Sequence, residues 1–221
     1  MNSLCHQGFR DYSGSPNSPL NVKKMIDDGK KVVNSIVGKG VFPPKYAFTL
    51  LIPFRNIFLS PKKLIRRLNL KEDYQVLEIG PGPGYFSTYI AKILKQGRLV
   101  LLDIQQEMLD MAKKRLAKKR IKNVEYKLTN GLVFDLESNI FDTIFMIAVM
   151  GEVENKEIYL KEIHRTLREG GTFSISELGG DPDKISIEEI QSLVCRYGFA
   201  VSHVYGNRRN YTINFRKTIS P

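Results

Sequence analysis

The sequence has no tryptophan, two cysteines and three histidines, so it is poor in the residues that most often hold transition metals. Neither Cys5 nor Cys195 belongs to a CxxC or Cys/His group, and we expect no zinc or other metal site. Two isolated thiols without an export signal predict a reducing compartment, which favours a cytoplasmic location. Cys195 falls in the periodic stretch IQSLVCRYGF, where we predict a buried thiol.

Long apolar runs are also absent. No stretch reaches the roughly 18 apolar residues that a membrane-spanning helix requires. The N-terminal stretch MNSLCHQGFRDYSGSPNSPLN has neither a basic start nor an apolar segment, so it does not resemble a secretory signal. We interpret residues 1–20 as a flexible tail.

Acidic residues are scarce in the first third of the chain. Residues 1–72 carry 13 Lys and Arg against 4 Asp and Glu, whereas residues 73–221 carry 21 against 19. The formal net charge of +11 therefore belongs mostly to the first part. This asymmetry predicts a basic appendage, which we place as a helical N-terminal cap over residues 21–70, before a nearly neutral main domain over residues 71–221.

Short apolar runs alternate with segments of helical spacing beyond residue 72. Strands separated by helices predict βαβ units and a parallel sheet with helices on both faces. The last segment, AVSHVYGNRRNYTINFRK, reads as an antiparallel hairpin around a polar turn. We predict strands at 74–80, 98–104, 123–131, 141–149 and 172–178, helices at 85–97, 105–120, 155–171 and 186–199, and the hairpin at 200–217.

The stretch VLEIGPGPGYFS follows the first predicted strand and is rich in glycine and proline. The dinucleotide pattern GxGxxG would need a third glycine where Tyr85 stands, and the third glycine here is Gly84. Pro81 and Pro83 remove two backbone N–H groups, although a diphosphate-binding loop needs as many as it can offer. With Glu78 just before the turn, the pattern favours a neutral or cationic ligand over a diphosphate.

This ExGxGxG stretch resembles the signature of class I methyltransferases, which use S-adenosylmethionine (SAM). Asp103 stands 23 residues after Gly80, at the end of the second predicted strand, where the family has an acidic residue that binds both ribose hydroxyls. The stretches FDTIFMIAVMGEV and LREGGTFSISE resemble two further family elements. The resemblance runs from about residue 60 to 217 and implies an α/β, Rossmann-like, doubly wound fold with a mostly parallel seven-stranded sheet and SAM as cofactor.

The resemblance also implies a set of cofactor-binding residues. In the family, the third strand often ends in an Asp that accepts a hydrogen bond from the adenine amino group, and here an Asn carbonyl takes that place. The fourth strand lines the methionine part of SAM and the substrate. The implied set is Glu78, Gly80, Gly82, Gly84, Asp103, Ile104, Asn130, Gly131 and Ile147.

Structural roles for some of these residues stay open at this point. Glu78 can be a surface residue at a strand end, Asp103 can cap the helix that follows it, and Asn130 can be a plain turn residue. His164, on the predicted helix 155–171, is expected to be a surface or packing residue.

No residue declares itself as a catalytic base, and we leave the catalytic set unknown. Tyr85, Glu152 and Glu154 are candidates near the rim, each with a structural alternative. The expected function is SAM-dependent methyl transfer, releasing S-adenosylhomocysteine (SAH), to a small or lipophilic acceptor. The alternatives are an NAD(P)-dependent oxidoreductase and a non-catalytic SAM-binding regulator.

The appendage is the remaining clue to a partner. The segment KYAFTLLIPFRNIFLSPKKLIRRLNL, residues 45–70, mixes apolar and basic residues and is cut into short helices by Pro53 and Pro61. Its apolar face can be buried as a cap over the cofactor pocket, or it can meet an anionic membrane or a lipophilic substrate. A nucleic-acid role is not expected, because no RNA-binding signature accompanies the basic residues.

Overall fold

The computed structural model describes residues 59–218, and within them helices and strands alternate as the sequence predicts. The predicted flexible tail, and all of the predicted cap except its last residues, lie outside the described residues. The elements, in chain order, are α1 Pro61–Leu68, β1 Gln75–Ile79, α2 Ser87–Ile93, β2 Arg98–Asp103, α3 Gln106–Lys118, β3 Val124–Leu128, β4 Phe141–Ile147, α4 Lys156–Thr166, β5 Leu167–Glu177, α5 Ile187–Cys195, β6 Phe199–Asn207 and β7 Asn210–Lys217.

The strands of this part of the chain form one seven-stranded sheet in the order β3-β2-β1-β4-β5-β7-β6. Strands β1 to β5 are parallel neighbours, and β7 inserts antiparallel between β5 and β6. The order turns back at β1 and β4, and such a reversal opens a ligand crevice at the carboxyl ends of the strands. The predicted doubly wound fold with a C-terminal hairpin is confirmed.

Helices cover both faces of the sheet, each over its own apolar cluster. One cluster joins β-strand residues to Leu160 of α4 and Ile190 of α5. The other joins the opposite strand face to Ile90 of α2 and Ala112 of α3. Burial on both faces explains why β2 and β4 read as continuous apolar runs instead of alternating with polar residues.

Helix α1 packs on the same face of the sheet as α2 and α3. Ser60 caps its N-terminus, Pro61 takes the first helical position, and Leu64 and Leu68 are buried in the second cluster. Arg67 then reaches β7, donating from its guanidinium to the Thr212 hydroxyl over 2.8 Å. The apolar side of this part of the predicted appendage is therefore buried against the sheet.

Helix α4 ends earlier than the predicted span of 155–171. It stops at Thr166, and Leu167 is already extended and pairs with Phe141 of β4. The glycines expected to close the helix lie instead within β5, where the register between β4 and β5 shifts. Gly171 allows this irregularity, because a methyl group there would lie 2.8 Å from the Arg168 carbonyl.

Cys195 is exposed, so the prediction of a buried thiol is wrong. The buried face of α5 is formed by Ile190 and Val194, which lie four residues apart on one side of the helix. Cys195 follows Val194 by one position and is rotated about 100° away from that face. His164 is half-buried and packs edge-to-face on Phe199 at 5.4 Å, which agrees with the packing role expected of it.

Candidate active site

The carboxyl ends of β1, β2, β4 and β5 lie side by side at one edge of the sheet. Glu78 of β1 pairs in register with Leu101 of β2 and with Phe145 of β4. Farther along, Ile147 of β4 pairs with Ser176 of β5. The strand ends that carry most of the predicted cofactor residues are therefore brought to the same edge.

The glycine turn leaves β1 in a conformation that suits glycine. Gly80, Gly82 and Gly84 have φ angles of +65°, +53° and +75°. Residues with a Cβ atom seldom adopt this left-handed region. The turn begins with the Gly80 N–H bonded to the Leu102 carbonyl of β2, over 2.9 Å, so it starts directly beside the second strand.

Gly84 also sets the distance between the turn and α3. A methyl group on Gly84 would lie 3.0 Å from the Ala112 side chain and 3.0 Å from a methyl of Leu116. Its carbonyl accepts a hydrogen bond from the Thr88 hydroxyl at 3.0 Å in the next helix. The third glycine therefore has a packing function, alongside the cofactor contact predicted for it.

Asp103, the last residue of β2, is directed at the glycine turn. Its carboxylate accepts hydrogen bonds from the backbone N–H groups of Gln105, at 3.0 Å, Ile104 and Gly82. Burial nevertheless raises the Asp103 pKa to about 6, and these three bonds only partly offset the cost of removing the carboxylate from water. The group is ionised at neutral pH and can accept hydrogen bonds from a ligand hydroxyl.

Asp103 is not the N-cap of the helix that follows it. Gln105 is the N-cap of α3, and it makes no side-chain capping bond. Asp103 lies two residues earlier, where its hydrogen bonds hold the strand end and the turn instead of the first turn of the helix.

The loop after β3 brings Gly131 next to the second strand end. A methyl group on Gly131 would lie 3.8 Å from the Tyr159 ring and hydroxyl and 3.9 Å from Ile104 Cγ2. Ile104 is 41% exposed, which is unusual for isoleucine and leaves an apolar surface beside the Asp103 carboxylate. Gly131, Ile104 and Asp103 thus lie together at the carboxyl ends of β2 and β3, where an apolar surface adjoins an acidic group.

Asn130 is used by its own turn. Its side-chain carbonyl accepts hydrogen bonds from the backbone N–H groups of Leu132, at 2.9 Å, and Val133, at 3.2 Å. These two bonds occupy both lone pairs of that oxygen. The arrangement is that of the plain turn residue, and the adenine contact assigned to Asn130 stays a prediction.

Most of the described chain matches a known protein family. A model of the methyltransferase-domain family matches residues 70–213, which include the whole glycine turn and every strand end described above. The chain belongs to this family. Its fold and cofactor are those of the class I SAM-dependent methyltransferases, as the ExGxGxG stretch predicts.

Individual relatives cover parts of this methyltransferase. A ubiquinone/menaquinone biosynthesis C-methyltransferase of Hydrogenovibrio crunogenus is 35% identical over 104 residues, which are 46% of this chain and 41% of that protein. A protein-L-isoaspartate O-methyltransferase of Rhodopseudomonas palustris is 32% identical over 90 residues, 41% of each chain. The matches thus span about two fifths of the length of these curated relatives.

A solved SAM-dependent methyltransferase from Aquifex aeolicus has the same fold. It superposes with a TM-score of 0.76 at 23% identity, over 80% of this chain and all of that one. At this level of identity the likeness supports the fold alone.

The remaining predicted residues take positions around the crevice of the methyltransferase. Glu78 is buried at the end of β1, which excludes the alternative of a surface residue, and Ile147 is the last residue of β4. Of the three candidate bases, Tyr85 and Glu152 are half-buried and Glu154 is exposed.

Tyr159 and Glu177 lie near the ends of the strands, and neither is among the residues singled out from the sequence. Tyr159 lies on α4, and its buried ring faces Gly131. Burial, with a smaller effect of the negative charge of Asp103, raises the Tyr159 pKa to about 12. Its sequence context is an ordinary helical repeat, so no sequence signal marks it. Glu177 is the last residue of β5. The sequence pattern SISE, in which a charged residue ends an apolar strand, was the one signal that could have pointed to Glu177.

Metal chemistry has no visible site among residues 59–218. In that range, no three His, Cys, Asp or Glu side chains are grouped closely enough to hold a metal ion. In the same range, no helix has the length and apolar character needed to cross a membrane.

Proposed function

We propose that this chain transfers the methyl group of SAM to a small or lipophilic acceptor by in-line displacement at the carboxyl edge of its sheet. The observation that carries the proposal is the contact between the Asp103 carboxylate and the Gly82 N–H, which places a carboxylate that is ionised at neutral pH beside the glycine turn. A ligand with two neighbouring hydroxyls and a cationic centre suits such a carboxylate. The prolines of the turn fit a cofactor without phosphate groups.

The residues present are suited to hold SAM. Asp103 would accept hydrogen bonds from the ribose hydroxyls, and Ile104 with Gly131 would bound the adenine. Glu78 and Ile147, at the ends of neighbouring strands, would face the amino-acid part. When bound, SAM supplies an already activated methyl group, so the protein's contribution is mainly to orient the donor and acceptor.

The acceptor is proposed from two supports. The first is the sequence likeness to a relative that is named a ubiquinone/menaquinone biosynthesis C-methyltransferase. The second is the mixture of apolar and basic residues in segment 45–70. Both favour a small or lipophilic acceptor over a nucleic acid.

The proposal is tested by ligand binding and then by turnover. Isothermal titration should detect SAM and SAH binding and no NADH binding. Labelled SAM is then supplied together with menadiol, an isoaspartyl peptide or phosphoethanolamine in separate assays. Menadiol is the acceptor that we expect to be methylated. NADH binding without SAM binding would reject the proposal in favour of an oxidoreductase, and tight SAM binding without turnover on any acceptor would favour a regulator.

Peripheral membrane contact through residues 45–70 is a further part of the proposal. Within the described end of that segment, Leu64 and Leu68 are buried, whereas Lys62, Lys63 and Arg66 are exposed. Helix α1 would therefore bind a membrane surface through its basic side chains and would not insert apolar side chains into it. Its attraction to anionic lipid would weaken as the salt concentration rises. Pelleting with anionic liposomes at low salt and release at high salt are expected; failure to pellet at low salt would reject the contact.

A further inference from the structure

Glu177 is a carboxyl group that the fold buries without giving it a partner. It is the last residue of β5, and its exposed fraction is 0%. Neither of its carboxylate oxygens has a hydrogen-bond partner in the part of the chain that the structure describes. Such a group costs free energy, and its retention calls for an explanation such as a ligand that completes its hydrogen bonds.

The polar groups nearest to Glu177 are engaged elsewhere. Tyr211, its partner across the β5–β7 ladder, donates its hydroxyl to the Ile185 carbonyl at 2.5 Å. The Lys184 ammonium bonds to the Arg208 carbonyl and lies 5.4 Å from the centre of the Tyr211 ring. Within the described chain, the residues that pack around the carboxyl therefore leave its oxygens without a hydrogen bond while keeping them out of contact with solvent.

The charges around Glu177 are mostly of its own sign. Burial raises the Glu177 pKa to about 8, with smaller increases from Asp181 and Glu152 and an opposing effect of Lys184. These groups come from the segment after β5 and the turn after β4, while β7 contributes the neutral Tyr211. At pH 7 most of the population is protonated, and such a carboxyl can both donate and accept a hydrogen bond.

The position of Glu177 relates it to the methyl-transfer edge. The preceding residue, Ser176, pairs with Ile147, and its carbonyl accepts the Ala148 N–H at 2.8 Å. Strands are spaced about 4.8 Å apart, so β5 lies roughly 14 Å from β2 and Asp103, three strands away. Glu177 is therefore at the end of the crevice opposite to the adenosine end.

We propose that Glu177 binds a hydroxyl group of the methyl acceptor and takes its proton during transfer. The inference rests on the proposed function and names the acceptor class, a hydroxylated and mainly apolar molecule. In the step, the acceptor O–H bond breaks and its proton moves to a Glu177 carboxylate oxygen. The acceptor's electron pair, on oxygen or on a conjugated carbon, forms the bond to the methyl carbon as the C–S bond breaks and its electrons remain on sulfur.

A neutral hydroxyl group is compatible with the surroundings of Glu177. A hydroxyl enters without a charge, and a phenol-type hydroxyl has a pKa near 10, as in tyrosine, close enough to that of Glu177 for proton transfer. Because Glu177 has an exposed fraction of 0%, an acceptor reaches it only when the segments around the end of β5 move apart.

Binding is tested with the SAH-loaded protein and two matched probes. Menadiol, a hydroquinone kept reduced, is expected to bind and to shift the ¹³C resonance of labelled Glu177, assigned by its loss in Glu177→Gln. The dimethyl ether of menadiol should leave that resonance unmoved. Menadiol that fails to bind, or binds without moving the resonance, overturns the inference. Failure to bind SAH would instead reject the proposed function, so the two failures are distinguishable.

Turnover supplies the second measurement. Glu177→Gln should lower kcat with menadiol about 100-fold, leave SAM affinity unchanged and abolish the rise of kcat as pH passes 8. Glu188→Gln, a change of exposed charge on α5, should behave as the unaltered protein. Equal kcat and equal pH profiles for Glu177→Gln and the unaltered protein would overturn the inference, and unchanged SAM affinity separates this result from misfolding.

Discussion

The backbone N–H of Gly82 donates a hydrogen bond to the carboxylate of Asp103. This contact joins two elements that stand 21 positions apart in the sequence, the glycine turn after β1 and the acid that ends β2. The carboxylate is held by backbone groups on one side, and its remaining lone pairs are available to a ligand. Cofactor binding in this methyltransferase should therefore depend on the protonation state of one side chain.

Substituting Asp103 by alanine should weaken SAM binding by about 1–3 kcal/mol, because charge-assisted hydrogen bonds to the ribose are lost. Isothermal titration gives the affinity, and urea unfolding separates the loss from any change in stability. Glu137→Gln, which alters an exposed acid in the loop before β4, serves as the control. Unchanged affinity in Asp103→Ala would show that Asp103 does not bind the ribose.

SAM affinity should fall as the pH drops below about 6, where Asp103 gains a proton. The neutral carboxyl is a weaker acceptor, and the loss should approach at most about tenfold per pH unit. Between pH 7 and 8 the contribution of Asp103 should be constant. The Asp103→Asn variant, measured over the same pH range, reports the part of the change in affinity that is due to the titration of SAM itself. If this variant shows the same decline in SAM affinity below pH 6 as the unaltered protein, Asp103 is not the group responsible.

Gly84→Ala should destabilise the fold more than Gly170→Ala. Both glycines have positive φ, +75° and +66°, so both variants bear a backbone cost of about 1–2 kcal/mol. Only at Gly84 does the added methyl meet Ala112 and Leu116 of α3, whereas nothing lies within 4 Å at Gly170. We expect a further loss of about 1–3 kcal/mol from overpacking, measured by urea unfolding. Equal destabilisation would mean that α3 adjusts freely.

Glu177 should make stability decrease as pH rises from about 5 to 8. Its pKa is about 8 in the folded chain against an ordinary value of 4.5, so in this window the folded state holds a proton that the unfolded state has released. Each pKa unit corresponds to about 1.4 kcal/mol, so the total reaches a few kcal/mol. Glu177→Gln should lose this slope and exceed the unaltered protein in stability at pH 9. Identical pH profiles would place the Glu177 pKa near its ordinary value.

The sequence by itself determined the fold and the cofactor. Apolar runs buried on both faces and helical segments between them predict a doubly wound sheet. The interval from Gly80 to Asp103 holds the crossover helix and the second strand of one βαβ unit, a connection that favours a neighbouring parallel strand. Local patterns of this kind are sufficient because the strand period, the helix period and the glycine conformation are properties of short segments.

Only the tertiary structure decided which side chains meet and which remain without partners. The early end of α4 follows from pairing between Leu167 and Phe141, a contact across the sheet that no local pattern encodes. Tyr159 lies beside Gly131 because its helix packs over the loop after β3. Glu177 is acidic in any context, but its burial without a hydrogen-bond partner in the described chain arises from the packing of distant segments around the end of β5. Burial sets the cost of its charge, and burial is a property of the assembled fold.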